Sequence, residues 1–446
     1  MERKNRLLII GLIFIHILFL VKLKFTAWPE MLLWPHLLLH GLLPYQDIAI
    51  VHTPFLIVKL AVFFKLFGVG ILQLKIFTWL VIVLTDVLVF VVANKIWKKK
   101  VAVLSLIAYI ILQLFYDGNG LWFDLLLAPL ALITFYFTNS KKYFLSGIFF
   151  ALMFLTKQTA IWFLVTILFQ VWLRDKKQIH VFIKGNVLVF SIFILILFVF
   201  NLLPSFYNWA INFGVFVLPR SVGQIQLPDI KNLIVSLFPF SIFIPLLLIK
   251  KMKLKNLAMW SLAGIMGAYP RFEYFHFQPG IAFLAFGTAI FFVTFNKKDM
   301  LSKILIPVYI LGCLYLTFSF VIRNYGEGVR FYDASVQEVT SYVKNNTVPE
   351  EKIFVMNWWD NVYPLTNTLP ATDPWVPQLS WYQEIPGIQE KEVSDLIVSK
   401  PKLILLQNYS EAGLASYKPQ KVYDYVMANY KLKEKVDGID ILIPKK

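Results

Sequence analysis

The sequence predicts a polytopic α-helical membrane protein of about eleven spans, with a long first external loop and a small external C-terminal α/β domain. Three observations predict it. The 446 residues are 58% hydrophobic and only 15% charged, with a mean hydropathy of +0.67, outside the composition of a soluble globular domain. Apolar runs long enough to cross a hydrocarbon core follow one another from Leu7 to residue 322. From about Asn324 the pattern changes to short alternating and amphipathic segments.

The first run, Leu7 to about Phe25, approaches the roughly 20 residues that cross a bilayer and lacks an A-x-A cleavage site, so it reads as a retained first helix. Runs at 71–95, 101–116, 125–139, 143–157, 158–173, 180–203, 231–249, 257–270, 277–295 and 304–322 complete the set. The segment 53–69, TPFLIVKLAVFFKLFGV, is long enough for a short span but carries Lys59 and Lys65. Each lysine costs about 2.5–3.5 kcal/mol at mid-membrane. An interfacial helix lets both ammonium groups reach water.

Charge bias points the same way. The formal net charge of +17 belongs to the membrane half, in clusters at Arg3, Lys4 and Arg6; Lys95 with Lys98–Lys100; Lys141–Lys142; Arg174 with Lys176–Lys177; Lys250, Lys251, Lys253 and Lys255; and Lys297–Lys298. With 53–69 on the surface, every cluster falls on the side of the N-terminus; if it crosses, all but the first move outside. The positive-inside rule selects the first arrangement, with a cytoplasmic N-terminus and an external C-terminal domain; a plasma-membrane location is expected. The clusters lack the basic, aromatic-interleaved soluble face that nucleic acid requires. The single cysteine, Cys313, excludes an intrachain disulfide or a thiolate metal cluster.

The external loops are then 27–70, about 115–124, the turn at Lys157-Gln158, about 204–230 and about 268–277. They hold Glu30, Asp47, Asp117, Asp124, Asp229 and Glu273. Domain boundaries are expected at 1–323 and 324–446. In the second unit EKIFVMN, PKLILLQN and IDILIP read as strands, ASVQEVTSYVKNN and PQKVYDYVMANY as amphipathic helices.

The first loop begins AWPEMLLWPHLLLHGLLPYQDIAIVHTP. Pro29 starts a helix ending near Gly41 and puts Glu30 in its first turn, either as a site carboxylate or as a helix-end charge. Asp47 is a second site carboxylate or a loop residue bonding nearby amides. His36 and His40 share a helical face, but without the acidic H-E-x-x-H pattern they read as packing or substrate contacts rather than a metal pair. In LTKQTAIW, Lys157 sits at the external turn of an apolar pair, against the charge bias; it binds a phosphate there or reaches to water. In AYPRFEYFHFQPG, Arg271 suits two-point phosphate binding and His276 adds a donor, the alternative being an Arg271-Glu273 structural pair. The loop NWAINFGVFVLPRSVGQIQLP adds Arg220. A carboxylate, a lysine and an arginine-histidine group on one membrane face are what a lipid-phosphate-linked sugar needs: a base for the acceptor hydroxyl and cations for the departing phosphate.

The order of one span, an acidic first loop, then Gly41-Leu42-Leu43-Pro44-Tyr45-Gln46-Asp47 and His52-Thr53-Pro54 resembles the C-type superfamily of membrane glycosyltransferases. It is most similar to the branch of protein mannosyltransferases, the aminoarabinose transferase of lipid A and Rgt-like transferases. The TKQTA and YPRFEYFH segments resemble later signatures of that branch, and the similarity covers roughly residues 1–325. The resemblance implies inverting transfer of a hexose or pentose from a polyprenyl-phosphate donor to a lipid, glycan or protein acceptor at the external leaflet. It implies Glu30 as catalytic base, one methylene longer than the common Asp, with Asp47 in support. Lys157, Arg271 and His276 would take the donor phosphate, and His52, Gln158, Arg220 and Glu273 would contact substrate. Asp117 and Asp124 lie where metal-dependent oligosaccharyltransferases carry acidic ligands, but the DxD spacing is missing, so no cofactor and no obligatory metal are expected. Two other classes compete. A transporter or flippase of lipid-linked saccharides requires inverted repeats or broken mid-membrane helices, which the sequence does not show. A glycan ligase shares the chemistry and differs in donor and product.

Overall fold

The computed structural model describes residues 3–248, 252–294, 300–410 and 418–445. The Lys250-Lys251 and Lys297-Lys298 pairs lie outside the described residues. The membrane half runs through α1 (Arg3–Lys22), α2 (Pro29–Leu39), α3 (Phe55–Phe67), α4 (Ile71–Ile96), α5 (Lys99–Phe115), α6 (Phe123–Asn139), α7 (Tyr143–Thr156), α8 (Ile161–Asp175) and α9 (Ile179–Val199). It continues through the single turn α10 (Leu203–Phe206), α11 (Ile230–Leu237), α12 (Phe243–Leu248), α13 (Met252–Ile265), α14 (Gln278–Thr294) and α15 (Met300–Asn324).

Each expected apolar run falls on helix, with one break. Residues 231–249 divide into α11, a 3-10 stretch Phe238–Ile242 and α12. Pro239 and Pro245 lie in this segment, and each removes a backbone donor from the helical ladder.

By length and composition, Ile71–Ile96, Gln158–Val199, Tyr274–Thr294 and Lys303–Asn324 suffice to cross a membrane, and Phe123–Asn139, Tyr143–Thr156 and Ile230–Leu246 are shorter apolar helices. On α9 only Phe182, Gly185 and Leu197 are buried, while Leu195, Phe198 and Val199 are 60%, 69% and 67% exposed. Apolar surface on that scale is stable against acyl chains and not against water. The chain is a multi-pass membrane protein.

Helix α3 has 13 residues, about 20 Å at 1.5 Å per residue, short of the roughly 30 Å hydrocarbon core. It buries Leu56, Ile57, Leu60 and Phe64 and exposes Lys59 and Lys65 together with Val58, Val62, Leu66 and Phe67. Gly68, at φ +86°, ends it, and α4 starts at Ile71. Within the bundle α7 and α9 meet backbone to backbone. A Cβ at Gly147 would lie 2.1 Å from the Phe182 carbonyl, and one at Gly185 would lie 2.1 Å from that of Phe144.

After α15 a mixed sheet forms in the order β4-β3-β5-β7-β6, from β3 (Lys352–Met356), β4 (Leu369–Pro370), β5 (Ile404–Gln407), β6 (Tyr430–Val436) and β7 (Ile439–Pro444). Strand β3 is parallel to β4 and β5, while β7 is antiparallel to β5 and β6. The three predicted strands and both amphipathic helices, Ala334–Asn346 and Gln420–Asn429, are all present. Strand β6, YKLKEKV, was not anticipated, because an edge strand exposed along its middle has no hydrophobic alternation to read.

The sheet unit is fastened to the membrane half. Strand β1 (Phe25–Thr26) pairs in parallel with β2 (Val329–Arg330). His36 Nε2 donates to the Thr368 carbonyl at 3.0 Å. The Trp375 amide donates to the Asp47 carbonyl at 2.8 Å, and the Ala49 amide to that of Trp375 at 2.9 Å. The first loop is therefore clamped between the bundle and the sheet.

Candidate functional site

Trp122 is extended and Phe123 opens α6, which puts Asp124 in the first helical turn, where the helix dipole favours a carboxylate. Helix α7 stops at Thr156 because Lys157 turns extended at φ −155°, sending its side chain back along the helix ends. The 3-10 turn Tyr274–Phe277 before α14 supplies His276. These three side chains converge. Lys157 Nζ is 2.6 Å from Asp124 Oδ2, and His276 Nδ1 is 2.7 Å from the same oxygen and 3.2 Å from Nζ. Side-chain exposure is 1% for Asp124, 6% for Lys157 and 9% for His276. Asp124 Oδ1 is enclosed without a partner, and a Cβ at Gly267 would come within 3.5 Å of it.

His52 lies against this cluster, its ring 4.3 Å from Phe123 and 5.9 Å from Trp122. Burial, then the Lys157 charge, push its pKa down to about 3, so the ring is neutral. Gln158 Nε2 donates to the Val51 carbonyl at 2.7 Å and to that of Ala210 at 3.3 Å, tying the first loop to the 204–230 loop. That loop reaches the C-terminal unit, where Phe213 meets the Tyr382 ring at 5.0 Å.

Glu30 stands in the first turn of α2, half-buried, with Oε2 enclosed and without a partner. Burial raises its carboxyl above the usual range, while its own backbone amide and the Arg271 charge pull it back. Among the described residues Arg271 makes no ion pair or side-chain hydrogen bond, so it does not close a structural salt bridge with Glu273, whose carboxyl burial also raises. The C-terminal unit adds Asp360, held well above the carboxylate range by burial and then by the charge of Glu30.

Aromatic rings join the two groups. Trp28 lies 5.3 Å from Trp122, 5.3 Å from Phe275 and 5.0 Å from Phe331, and Phe275 lies 4.3 Å from the His276 ring. The Arg271 charge acts on both Glu30 and His276.

Other candidates sit elsewhere. Asp47 Oδ2 accepts from the Leu43 amide at 2.7 Å, as in the loop-bonding alternative. Arg220 is exposed and bonds to nothing among the described residues. His36 and His40 are packing residues, their rings 4.2 Å apart and both bonded to backbone carbonyls. Asp117 pairs with Arg330 at 2.9 Å. Sequence reasoning missed Asp124 as the partner of Lys157, although a lysine at membrane depth requires a partner and an acid opened a helix on the same expected face. Asp360 gave no signal, because nothing local marks a soluble-domain carboxylate that faces another domain.

Residues 51–203 match a family model described as dolichyl-phosphate-mannose-protein mannosyltransferase. The chain superposes on ArnT from Cupriavidus metallidurans in its apo state with TM-score 0.67 at 10% identity, over 98% of this chain and 97% of that one. The same enzyme bound to undecaprenyl phosphate gives TM-score 0.67 at 11% identity, over 99% and 98%. The chain shares the fold of ArnT over nearly its whole length. The archaeal oligosaccharyltransferase AglB from Archaeoglobus fulgidus, in complex with an inhibitory peptide and a dolichol-phosphate, shares this fold with TM-score 0.58 at 12% identity, over 99% of this chain and 74% of that one. Comparison with curated protein sequences gives no match. The family match includes His52 and Lys157 and begins after Glu30.

Proposed function

We propose that the chain transfers a sugar of hexose or pentose class from a polyprenyl-phosphate donor to a lipid, glycan or protein acceptor at the external membrane face, with inversion. The observation that carries this reading is the enclosed Oε2 of Glu30, unpartnered among the described residues and within reach of the Arg271 charge. A free buried carboxylate oxygen costs stability unless something binds it. An acceptor hydroxyl is such a partner.

In this reading the acceptor hydroxyl donates to Glu30 and its oxygen attacks the anomeric carbon. The proton passes to Glu30, and the electron pair of the breaking carbon-oxygen bond leaves with the lipid phosphate. Attack opposite the leaving group inverts the anomeric centre. Arg271 binds the phosphate at two points, while Lys157, its charge balanced by Asp124, and the His276 ring line the site beside it. The raised carboxyl of Glu30 brings a general base closer to the pH at which it works. The known relatives support a lipid-phosphate donor, since ArnT and AglB have been seen with undecaprenyl phosphate and dolichol-phosphate. The lipid tail lies along the apolar bundle.

In this reading the protein is placed in the plasma membrane, and charge bias supports a cytoplasmic N-terminus and an external C-terminal unit. A divalent metal is not obligatory in this scheme, because Asp117 already faces Arg330 and Asp124 already faces Lys157 and His276. Mass spectrometry of products from a panel of polyprenyl-phosphate sugars, with membrane extract as acceptor source, tests the proposal. A glycosylated product that requires Glu30 supports it. Movement of the lipid-linked sugar across proteoliposomes with no product in the presence of acceptor overturns it.

A further inference from the structure

At the end of the bundle remote from Glu30, helices α4, α6, α8 and α13 meet around a cavity of about 290 Å³. Helix α6 sets its place: Asp124 stands in the first turn and Asn139 is the last residue, about 22 Å further along at 1.5 Å per residue. The cavity is lined by Lys95, Trp97, Tyr136, Asn139, Arg174 and Asn256, and none of its lining residues is acidic.

The polar groups are held in place. Arg174 donates to the Thr138 carbonyl at 3.1 Å and to Asn139 Oδ1 at 2.9 Å, which fixes its guanidinium over the C-terminal end of α6. Gln170 also donates to Asn139 Oδ1, at 3.2 Å, and receives the Trp260 indole N–H at 2.9 Å. The guanidinium has five N–H donors, so it keeps donors to spare. Asn256 is only 7% exposed and its Oδ1 is enclosed with no partner. Lys95 is exposed at the rim and bonds to nothing among the described residues.

Outside the rim the surface is apolar, with Val91 on α4 exposed 42% and Trp172 and Leu173 on α8 exposed 56% and 42%. Exposed lysines follow these helix ends in sequence at Lys98–Lys100, Lys141–Lys142 and Lys176–Lys177. Basic pockets between membrane helices, with apolar flanks, recognise anionic lipid.

We propose that this cavity binds the headgroup of an anionic phospholipid. The phosphodiester sits between Lys95 and Arg174, a headgroup hydroxyl donates to Asn256 Oδ1, and the acyl chains lie on the apolar flanks of α4 and α8. A phosphatidylglycerol headgroup meets both polar demands and is a net anion. A phosphatidylcholine headgroup has the phosphodiester, but its own cation neutralises it and it has no hydroxyl for Asn256. The site does not depend on the transfer reaction.

The full-length protein in phosphatidylcholine nanodiscs, with and without phosphatidylglycerol, tests this by native mass spectrometry of retained lipid and by thermal unfolding. The comparison set is the wild type, Lys95→Gln, the double variant Lys95→Gln/Asn256→Leu, and Lys100→Gln as a control outside the cavity. Phosphatidylglycerol is expected to be retained in preference to phosphatidylcholine and to raise the melting temperature of wild type and control. Retention is expected to fall in Lys95→Gln and to fall about tenfold in the double variant. Undiminished retention in Lys95→Gln, or no preference over phosphatidylcholine, would overturn the proposal. Equal protection by inorganic phosphate in phosphatidylcholine nanodiscs would also overturn it, by showing a free-anion site.

Discussion

Lys157 Nζ lies 2.6 Å from Asp124 Oδ2, joining the end of α7 to the start of α6 through side chains that are 6% and 1% exposed. Removing one partner of such a pair costs more than the pair contributes, because the other charge stays buried alone. Asp124→Asn is expected to destabilise the protein by about 3 kcal/mol. Lys157→Met costs less, since Asp124 keeps His276. The double variant falls short of the sum of the two, and a double-mutant cycle from unfolding in detergent measures the coupling. Additive losses would show that the two groups do not interact.

The pH profile of transfer reports Glu30. A base must be deprotonated to act, and burial raises this carboxyl, so kcat/KM should fall on the acid side with an apparent pKa above the ordinary carboxylate range. Arg271 lowers that carboxyl. Arg271→Gln is therefore expected to shift the acid limb to higher pH as well as to raise KM for the donor. A raised KM with an unmoved limb would separate Arg271 from Glu30.

Glu392 makes a different pH prediction, about stability. Its carboxyl is buried, which pushes its pKa up to about 7, even though Gln383 and Gln378 both donate to Oε1. Below the unfolded carboxylate value both states hold the proton and its contribution is fully present. Between about pH 4.5 and 7 the unfolded chain releases the proton and the folded unit keeps it, so stability falls as pH rises, by about 3 kcal/mol in all. Unfolding of the full chain followed by a C-terminal tryptophan or hydrogen exchange should show this slope, and Glu392→Gln should flatten it.

Gly147 and Gly185 make the α7–α9 contact. Gly147→Ala places a methyl on the Phe182 carbonyl and forces the helices apart. The expected loss is about 1–3 kcal/mol, read as a lower melting temperature in detergent. Gly11, with nothing within 4 Å of an added Cβ, is the control that should tolerate alanine.

Where a single segment decides the outcome, the sequence was legible. Apolar runs marked the helices, and Pro29 placed Glu30 in a first turn. Five elements of the C-terminal unit followed from their local periodicity. What stayed hidden depends on distant partners. The sequence singled out Lys157 and His276 but not their shared partner Asp124, 33 and 152 residues away along the chain, and Asp360, which the Glu30 charge reaches, gave no local signal. Of the two first-loop carboxylates the sequence favours Glu30, and the structure encloses its Oε2 while Asp47 Oδ2 accepts from the Leu43 amide.

The central claim is that Glu30 removes the proton of the acceptor. The direct measurement is sugar transfer by the purified Glu30→Gln variant, followed by mass spectrometry with the polyprenyl-phosphate sugar that the wild type uses, alongside donor binding. The predicted result is a fall in transfer of about a thousandfold, with donor binding within about twofold of wild type. Wild-type transfer by Glu30→Gln would contradict the account.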